Sequence, residues 1–185
     1  GFDVAIRIGE LEDSTLVAKK LAPETRVICA SPKYLDEIGT PRTLEDLEMH
    51  NCLSAGAQEV WRLEGPEGLV QFRAKGSIRS NSAEFVREAL LSAIGIGLRS
   101  TWDIGPELEN GELKVILPEY RGSSNVAIYA VYPCREFMPS KVNVFIDFLS
   151  ECYGLEPYWD KQIDLDALIA GNTPAKHRQK QKKAS

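Results

Sequence analysis

Asn81 and Glu84 stand three residues apart at the start of an apolar pattern, Phe85, Val86, Ala89, Leu90 and Ala93, whose offsets are those of one helix face. That spacing is a capping box and predicts a helix beginning at Ser82. A helix start offers unpaired N–H groups and the positive end of the dipole, which suit an anion or a carbonyl oxygen. The same box could equally do no more than close the helix. Arg7 with Gly9 ends one apolar stretch and Ser54 ends another. Open α/β sheets bind ligands where strands end and helices begin, so Arg7, Gly9, Ser54, Asn81 and Ser82 form a candidate binding set. Trp61 and Trp102 could wall such a site or pack into a core.

Catalytic and metal chemistry has far less to work with. His50 falls at a predicted helix end, where the carbonyl-rich terminus favours a cation, and His177 lies near the C-terminus; the sequence holds no other histidine. No nucleophile elbow, phosphate loop, H-E-x-x-H or calcium loop is present. Gly95-Ile96-Gly97 lacks a third glycine and follows a helix rather than a strand, which makes a poor dinucleotide fingerprint. Cys29, Cys52, Cys134 and Cys152 are too dispersed for a zinc site or a disulfide framework and read as reduced cytoplasmic thiols. The expectation is a non-enzymatic protein without metal or cofactor.

The elements that must carry the binding set alternate along the chain. Strands are predicted at Asp3 to Gly9, Arg26 to Ser31, Cys52 to Ala55, Ile94 to Leu98, Glu112 to Leu117 and Val126 to Tyr132, with a hairpin turning at Gly65-Pro66-Glu67-Gly68. Helices are predicted from Lys33 to Gly39, from Leu44 to His50 with Thr43 as cap, from Ser82, from Trp102 to Leu108, and after a Ser140 cap with Val142, Phe145, Ile146, Leu149 and Cys152 apolar. A short turn is possible at Leu165 to Ile169. This alternation argues for an α/β fold with a mostly parallel sheet.

With 185 residues, 43% of them hydrophobic and 26% charged, the chain can bury a core. No apolar run approaches the roughly 20 residues that cross a bilayer. The net charge of -5 conceals a basic tail, Ala175 to Ser185, so the body is acidic and gives no support for nucleic-acid binding. The tail reads as a solvated, disordered terminus. Gly1 is not an initiator methionine, which points to chain upstream.

Several stretches in this order resemble the effector-binding domain of LysR-type transcriptional regulators: Asp3 to Gly9, Leu16 to Leu21, Cys29-Ala30-Ser31-Pro32-Lys33-Tyr34-Leu35, Gly39-Thr40-Pro41, Leu47 to Cys52, Ala93 to Leu98 and Val131-Tyr132-Pro133. The resemblance covers about Gly1 to Tyr153. It implies a periplasmic-binding-protein-like (type II) α/β fold of two subdomains with a small effector, such as a carboxylate, in the cleft between them. Residues 1–26 and 133–157 would form an incomplete first subdomain, and 27–132 the second. Crossing strands are expected near Val27 to Ala30 and Ile128 to Tyr132, and residues 158–185 would be an extension ending in the basic tail.

Two departures from the family pattern follow. Its helix-turn-helix and the opening strands of its first subdomain are not in this sequence, so DNA contact would run through a part that is absent, and strand edges and apolar surface would be exposed. Arg99-Ser100-Thr101 stands where the family often has proline, placing a cation near a ligand. The implied protein is a cytoplasmic, homo-oligomeric sensor that does not engage membranes. An extracytoplasmic solute-binding protein of the same fold is the alternative.

Overall fold

The computed structural model describes residues 2–11, 15–55, 59–133, 139–154, 156–161, 163–164 and 167. In chain order the elements begin with strands β1 (Ala5–Gly9), β2 (Leu16–Pro23) and β3 (Arg26–Ala30), then α1 (Pro32–Ile38) and a 3-10 helix, Glu45–Met49. Next come β4 (Cys52–Ala55), β5 (Val60–Gly65), β6 (Gly68–Arg73), β7 (Arg79–Ser80), α2 (Ala83–Leu91), β8 (Ile96–Ser100) and α3 (Thr101–Asn110). The chain closes with β9 (Lys114–Val115), β10 (Arg121–Gly122), β11 (Ala127–Pro133), α4 (Ser140–Tyr153) and α5 (Tyr158–Lys161).

Two sheets result. The smaller has order β1-β11-β2, and the larger, of eight strands, runs β6-β5-β10-β3-β8-β4-β7 with β9 beside β3. Strand β3 is buried along its whole length because both of its faces are covered. Ile28 and Ala30 join a core with Trp61, Leu63 and Phe72, while Val27 and Cys29 join a second with Val86, Leu90 and Ile104. Trp61 is thus a core residue, its ring centroid 5.5 Å from that of Phe72. A third core, Leu21, Ala22, Ile128, Ala130, Val142 and Ile146, lies between the smaller sheet and α4.

The expected mostly parallel sheet is corrected. Only β4 pairs in parallel, with β7 and β8, and every other pair is antiparallel. The reason is connection length. A parallel pair needs a crossover, which α2 supplies between β7 and β8, whereas the two-residue turn between β5 and β6 can only reverse the chain. The chain leaves the smaller sheet at Glu24-Thr25 and returns at Ser123 to Val126. The stretches expected as crossings therefore lie inside the sheets, Val27 to Ala30 in the larger and Ile128 to Tyr132 in the smaller.

Several local expectations also shift. The predicted second helix is a 3-10 turn in which Thr43 Oγ1 accepts the Asp46 N–H at 3.3 Å and Asp46 Oδ2 accepts the Thr43 N–H at 3.0 Å. Of the strand expected over Glu112 to Leu117, only Lys114–Val115 pairs, and Leu117 bends away with φ 47°. Ser140 is the first residue of α4 rather than its cap, a position that Pro139 takes without a side-chain acceptor. On α4, Val142 and Ile146 are buried, while Phe145 and Cys152 are exposed. Residues 165, 166, 168 and 169 and the basic tail with His177 lie outside the described residues, as does Cys134. Among the described residues no helix is long and apolar enough to cross a membrane. Phe2, Ile6, Ile8, Leu16 and Val17 around the smaller sheet are exposed, with Val144, Phe145 and Phe148 of α4.

His50 meets a different environment from the cationic one expected at a helix end. Tyr34 Oη accepts the Asn51 N–H at 3.1 Å, which leaves the phenol proton for His50 Nδ1, 3.2 Å away. Burial lowers the His50 pKa below the ordinary 6.5, with Asp46 opposing the shift. An imidazole held neutral in the fold binds fewer protons than in the unfolded chain. Its contribution is therefore complete above the ordinary value of 6.5 and is lost as pH falls from there through the lower value of the folded state. Melting curves from pH 8 to 5 should show wild type losing stability on acidification more steeply than His50→Gln; parallel profiles would refute this.

Candidate functional site

The ends of β4, β7 and β8 converge on the starts of α2 and α3. Ser54, buried on β4, sits opposite Arg79 in the parallel pairing, and its N–H donates to Ile78 O at 3.2 Å. Ala55 pairs with Ser80 one residue on. This pairing keeps the chain extended as far as Ser80, so the helix starts later than its sequence suggests. Ser82 is the N-cap, its Oγ accepting the Phe85 N–H at 3.2 Å, and its own N–H donates to Ser80 Oγ at 3.1 Å. The predicted capping box is thus corrected. Phe85 occupies the third helical position, where the box needs a Glu, and Asn81 is left exposed with no side-chain hydrogen bond among the described residues. Asn81 is available to a ligand for that reason.

Arg99 also departs from expectation. It is buried, its Nε donates to Asp103 Oδ2 at 3.0 Å, and its Nη2 donates to the same carboxylate and to Ala83 O at 3.2 Å. Its charge is spent inside the larger sheet, tying β8 to the first turn of α2, and is not offered to a ligand.

Ser54, Asn81 and Ser82 are therefore brought together, while Arg7 and Gly9 stand on the smaller sheet. Arg7 is exposed opposite Tyr129, on the face of β1 away from Ile6 and Ile8 and hence away from α4. Gly9, opposite Ala127, ends the strand. The next residue, Glu10, forms an ion pair with Arg62 of β5, which joins the two sheets at this end.

Between these walls lies a polar junction that sequence reasoning missed. Glu24 and Arg26 flank the passage into β3, and each is only 7% exposed. Glu24 Oε1 accepts from Ser100 Oγ and, at 3.4 Å, from Trp102 Nε1, while its Oε2 is buried without a partner. On Arg26, Nε is buried without a partner, and no guanidinium nitrogen donates to a described residue. Burial lowers the Arg26 pKa, against the opposing pull of Glu24 and Glu10. On the return passage, Ser124 donates to Glu64 Oε1 through both its N–H, at 2.7 Å, and its hydroxyl, at 2.6 Å. The usable signal was the pair of charges at Glu24 and Arg26 directly before the apolar run Val27 to Ala30, where a charge entering a buried strand is costly.

Trp102 also lines an apolar hollow of about 270 Å³ with Ile6, Ile8, Ile128, Tyr153 and Trp159. Thr101 Oγ1 donates to Asp160 Oδ1 at 2.5 Å, which fastens the segment after α4 to the start of α3. Among the described residues no three His, Cys, Asp or Glu side chains cluster as metal ligands. Burial raises the thiols of Cys29 and Cys52 to about 12, which makes both inert.

Two sheets are thus joined by two passages with a polar junction beside them. The LysR substrate binding domain matches residues 1–152. The chain belongs to that family. The transcriptional regulator DmlR of Escherichia coli is 36% identical over 157 residues, covering 83% of this chain and 50% of that protein. The transcriptional activator TtdR of the same species is 35% identical over 152 residues, covering 80% and 48%. The LysR-domain chain thus spans about half the length of the curated relatives it matches. The regulatory domain of CrgA, a LysR-type transcriptional regulator from Neisseria meningitidis, superposes with a TM-score of 0.70 at 32% identity, covering 82% of this chain and 76% of that one. This chain shares with that neighbour a periplasmic-binding-protein-like α/β fold. The relatives are transcriptional regulators rather than enzymes.

Proposed function

We propose that this LysR domain is the sensing part of a cytoplasmic transcriptional regulator, taking a small metabolite between its two sheet units. The smaller sheet with α4 serves as the first unit, and the larger sheet, entered at Glu24-Thr25 and left at Ser123 to Val126, as the second. Arg7 and Gly9 line the first wall, and Ser54, Asn81 and Ser82 the second. The observation that carries this reading is the convergence of strand ends and helix starts on one end of the larger sheet, directly beside both passages. Ligand contact with both walls favours one relative orientation of the units, and the shift in population is passed to a helix-turn-helix elsewhere in an oligomeric protein. The same fold used as an extracytoplasmic solute-binding protein is not favoured, because the relatives matched carry regulator names.

A thermal-shift screen of carboxylic metabolites tests the reading, since a ligand at a hundredfold its Kd stabilises by about 2.7 kcal/mol. For any hit, Asn81→Ala should weaken binding about tenfold, as expected for losing one hydrogen bond to a charged group. Ser82 holds the cap, so the melting temperature of Asn81→Ala should stay close to that of wild type. Unchanged affinity by calorimetry would remove Asn81 from the site.

A further inference from the structure

Arg26 is a nearly enclosed cation beside the passage between the sheets. Only 7% of it is exposed, Nε is fully buried, the two terminal nitrogens keep contact with solvent, and none of the three donates a hydrogen bond to a described residue. Buried polar groups are almost always satisfied, and a desolvated guanidinium left unpaired costs far more than a neutral one. The placement is specific to this residue. Gly122 lies against it so closely that a Cβ there would stand 2.7 Å from Arg26 Nε, so β10 carries glycine where the guanidinium crosses it. Arg99 and Arg62, the neighbouring arginines, are each paired with an acid, Asp103 and Glu10 respectively. Arg26 alone of these three is left with an open fork, and it stands at the passage between the sheets.

We propose that Arg26 is the anion anchor of the sensing cleft and that it holds a small monocarboxylate by its guanidinium fork. A planar fork matches a carboxylate through two parallel hydrogen bonds, which lysine cannot reproduce. Glu24, two residues earlier, is a positioning residue. It is held by Ser100 and Trp102 through one oxygen, and its charge, with that of Glu10, opposes any ligand bringing more than one negative charge. The site therefore selects monoanions over dicarboxylates and phosphate. The inference rests on the cleft reading above and adds to it the residue and the ligand charge.

The test is a titration of the 185-residue chain with propionate, succinate and inorganic phosphate at about pH 8, where phosphate is mostly dianionic, and at constant ionic strength, following the Arg26 Nε–H signal by nitrogen-15 NMR. The signal is identified by its absence in Arg26→Lys. Propionate should move it saturably and bind several-fold more tightly than succinate or phosphate. Arg26→Lys, which keeps the charge, should weaken propionate at least tenfold while its circular dichroism stays that of wild type. Glu24→Gln should narrow the preference for propionate over the two dianions. The proposal is overturned by a signal that propionate moves no more than chloride does, by phosphate binding as tightly as propionate, by Arg26→Lys binding as wild type does, or by a preference that Glu24→Gln leaves unchanged. A metabolite found in the thermal-shift screen that binds Arg26→Lys with full affinity would leave the cleft standing and remove Arg26 from it.

Discussion

Gly95→Ala is expected to destabilise the larger sheet by about 3 kcal/mol or more, at or above the upper end of what overpacking costs. A Cβ at Gly95 would lie 2.1 Å from the backbone oxygen of Asn51 and 3.1 Å from Leu53 Cδ2. The first of these neighbours cannot give way. Asn51 O accepts the Ile96 N–H at 2.9 Å, which aligns β8 beside β4. The Asn51 side chain donates from Nδ2 to Ser77 Oγ at 2.9 Å and to Ile94 O at 2.8 Å, and its Oδ1 accepts the Ser77 N–H at 2.7 Å. Moving Asn51 therefore disturbs the segments entering β4, β7 and β8 together, the three strands whose ends carry the second wall of the proposed cleft. Gly111→Ala is the control. Nothing stands within 4 Å of its Cβ position, and only its φ of 80° opposes a side chain, at about 1–2 kcal/mol. Urea unfolding should rank the two variants clearly, and equal midpoints would show that the Gly95 contact relaxes freely.

Leu90→Ala is expected to cost about 2–5 kcal/mol, a fall in melting temperature on the order of 5–15 °C for a chain of this size. Leu90 is fully buried on α2 among Val27, Leu53, Val86, Ile104 and Leu108. It also sits directly over Gly97, where a Cβ would come within 3.0 Å of Leu90 Cδ1, so helix and strand approach at glycine distance. Removing three carbons there leaves a cavity that the rigid β8 cannot collapse to fill. The effect should extend to binding, because α2 carries Ser82 and Asn81 at its start and loses its seat on β8. Affinity for a cleft ligand should fall together with stability, whereas Asn81→Ala should lower affinity alone. A Leu90→Ala variant that melts within about 2 °C of wild type would mean that the site repacks.

Much of the fold was legible in local chemistry. Pro32 and Gly39 bounded α1, where Ser31 Oγ accepts the Tyr34 N–H and the Gly39 N–H caps Leu35 O. Gly65 and Gly68 bounded the hairpin, and Asn110-Gly111 ended α3 with a left-handed residue. Each of these is decided within a few residues by which backbone angles a side chain permits, so sequence suffices. The candidate residues Ser54, Asn81 and Ser82 were legible for the same reason, since strand ends and helix starts are local features.

What the sequence could not contain was the outcome of competition between distant partners. Whether Asn81 or Ser82 capped α2 depended on β7 pairing with β4, which holds Ser80 opposite Ala55 and delays the first turn. Whether Arg99 was a ligand group depended on Asp103 lying one helical turn away and on the Ala83 carbonyl arriving from α2. Strand direction was set by connection geometry rather than by strand composition. By itself the sequence determined the approximate places of most strands and helices, the acidic body, and the family. Only the tertiary structure decided which charged side chains are spent on one another and which, like Arg26, are left enclosed and open, because charges find partners through space and burial is a property of the whole fold.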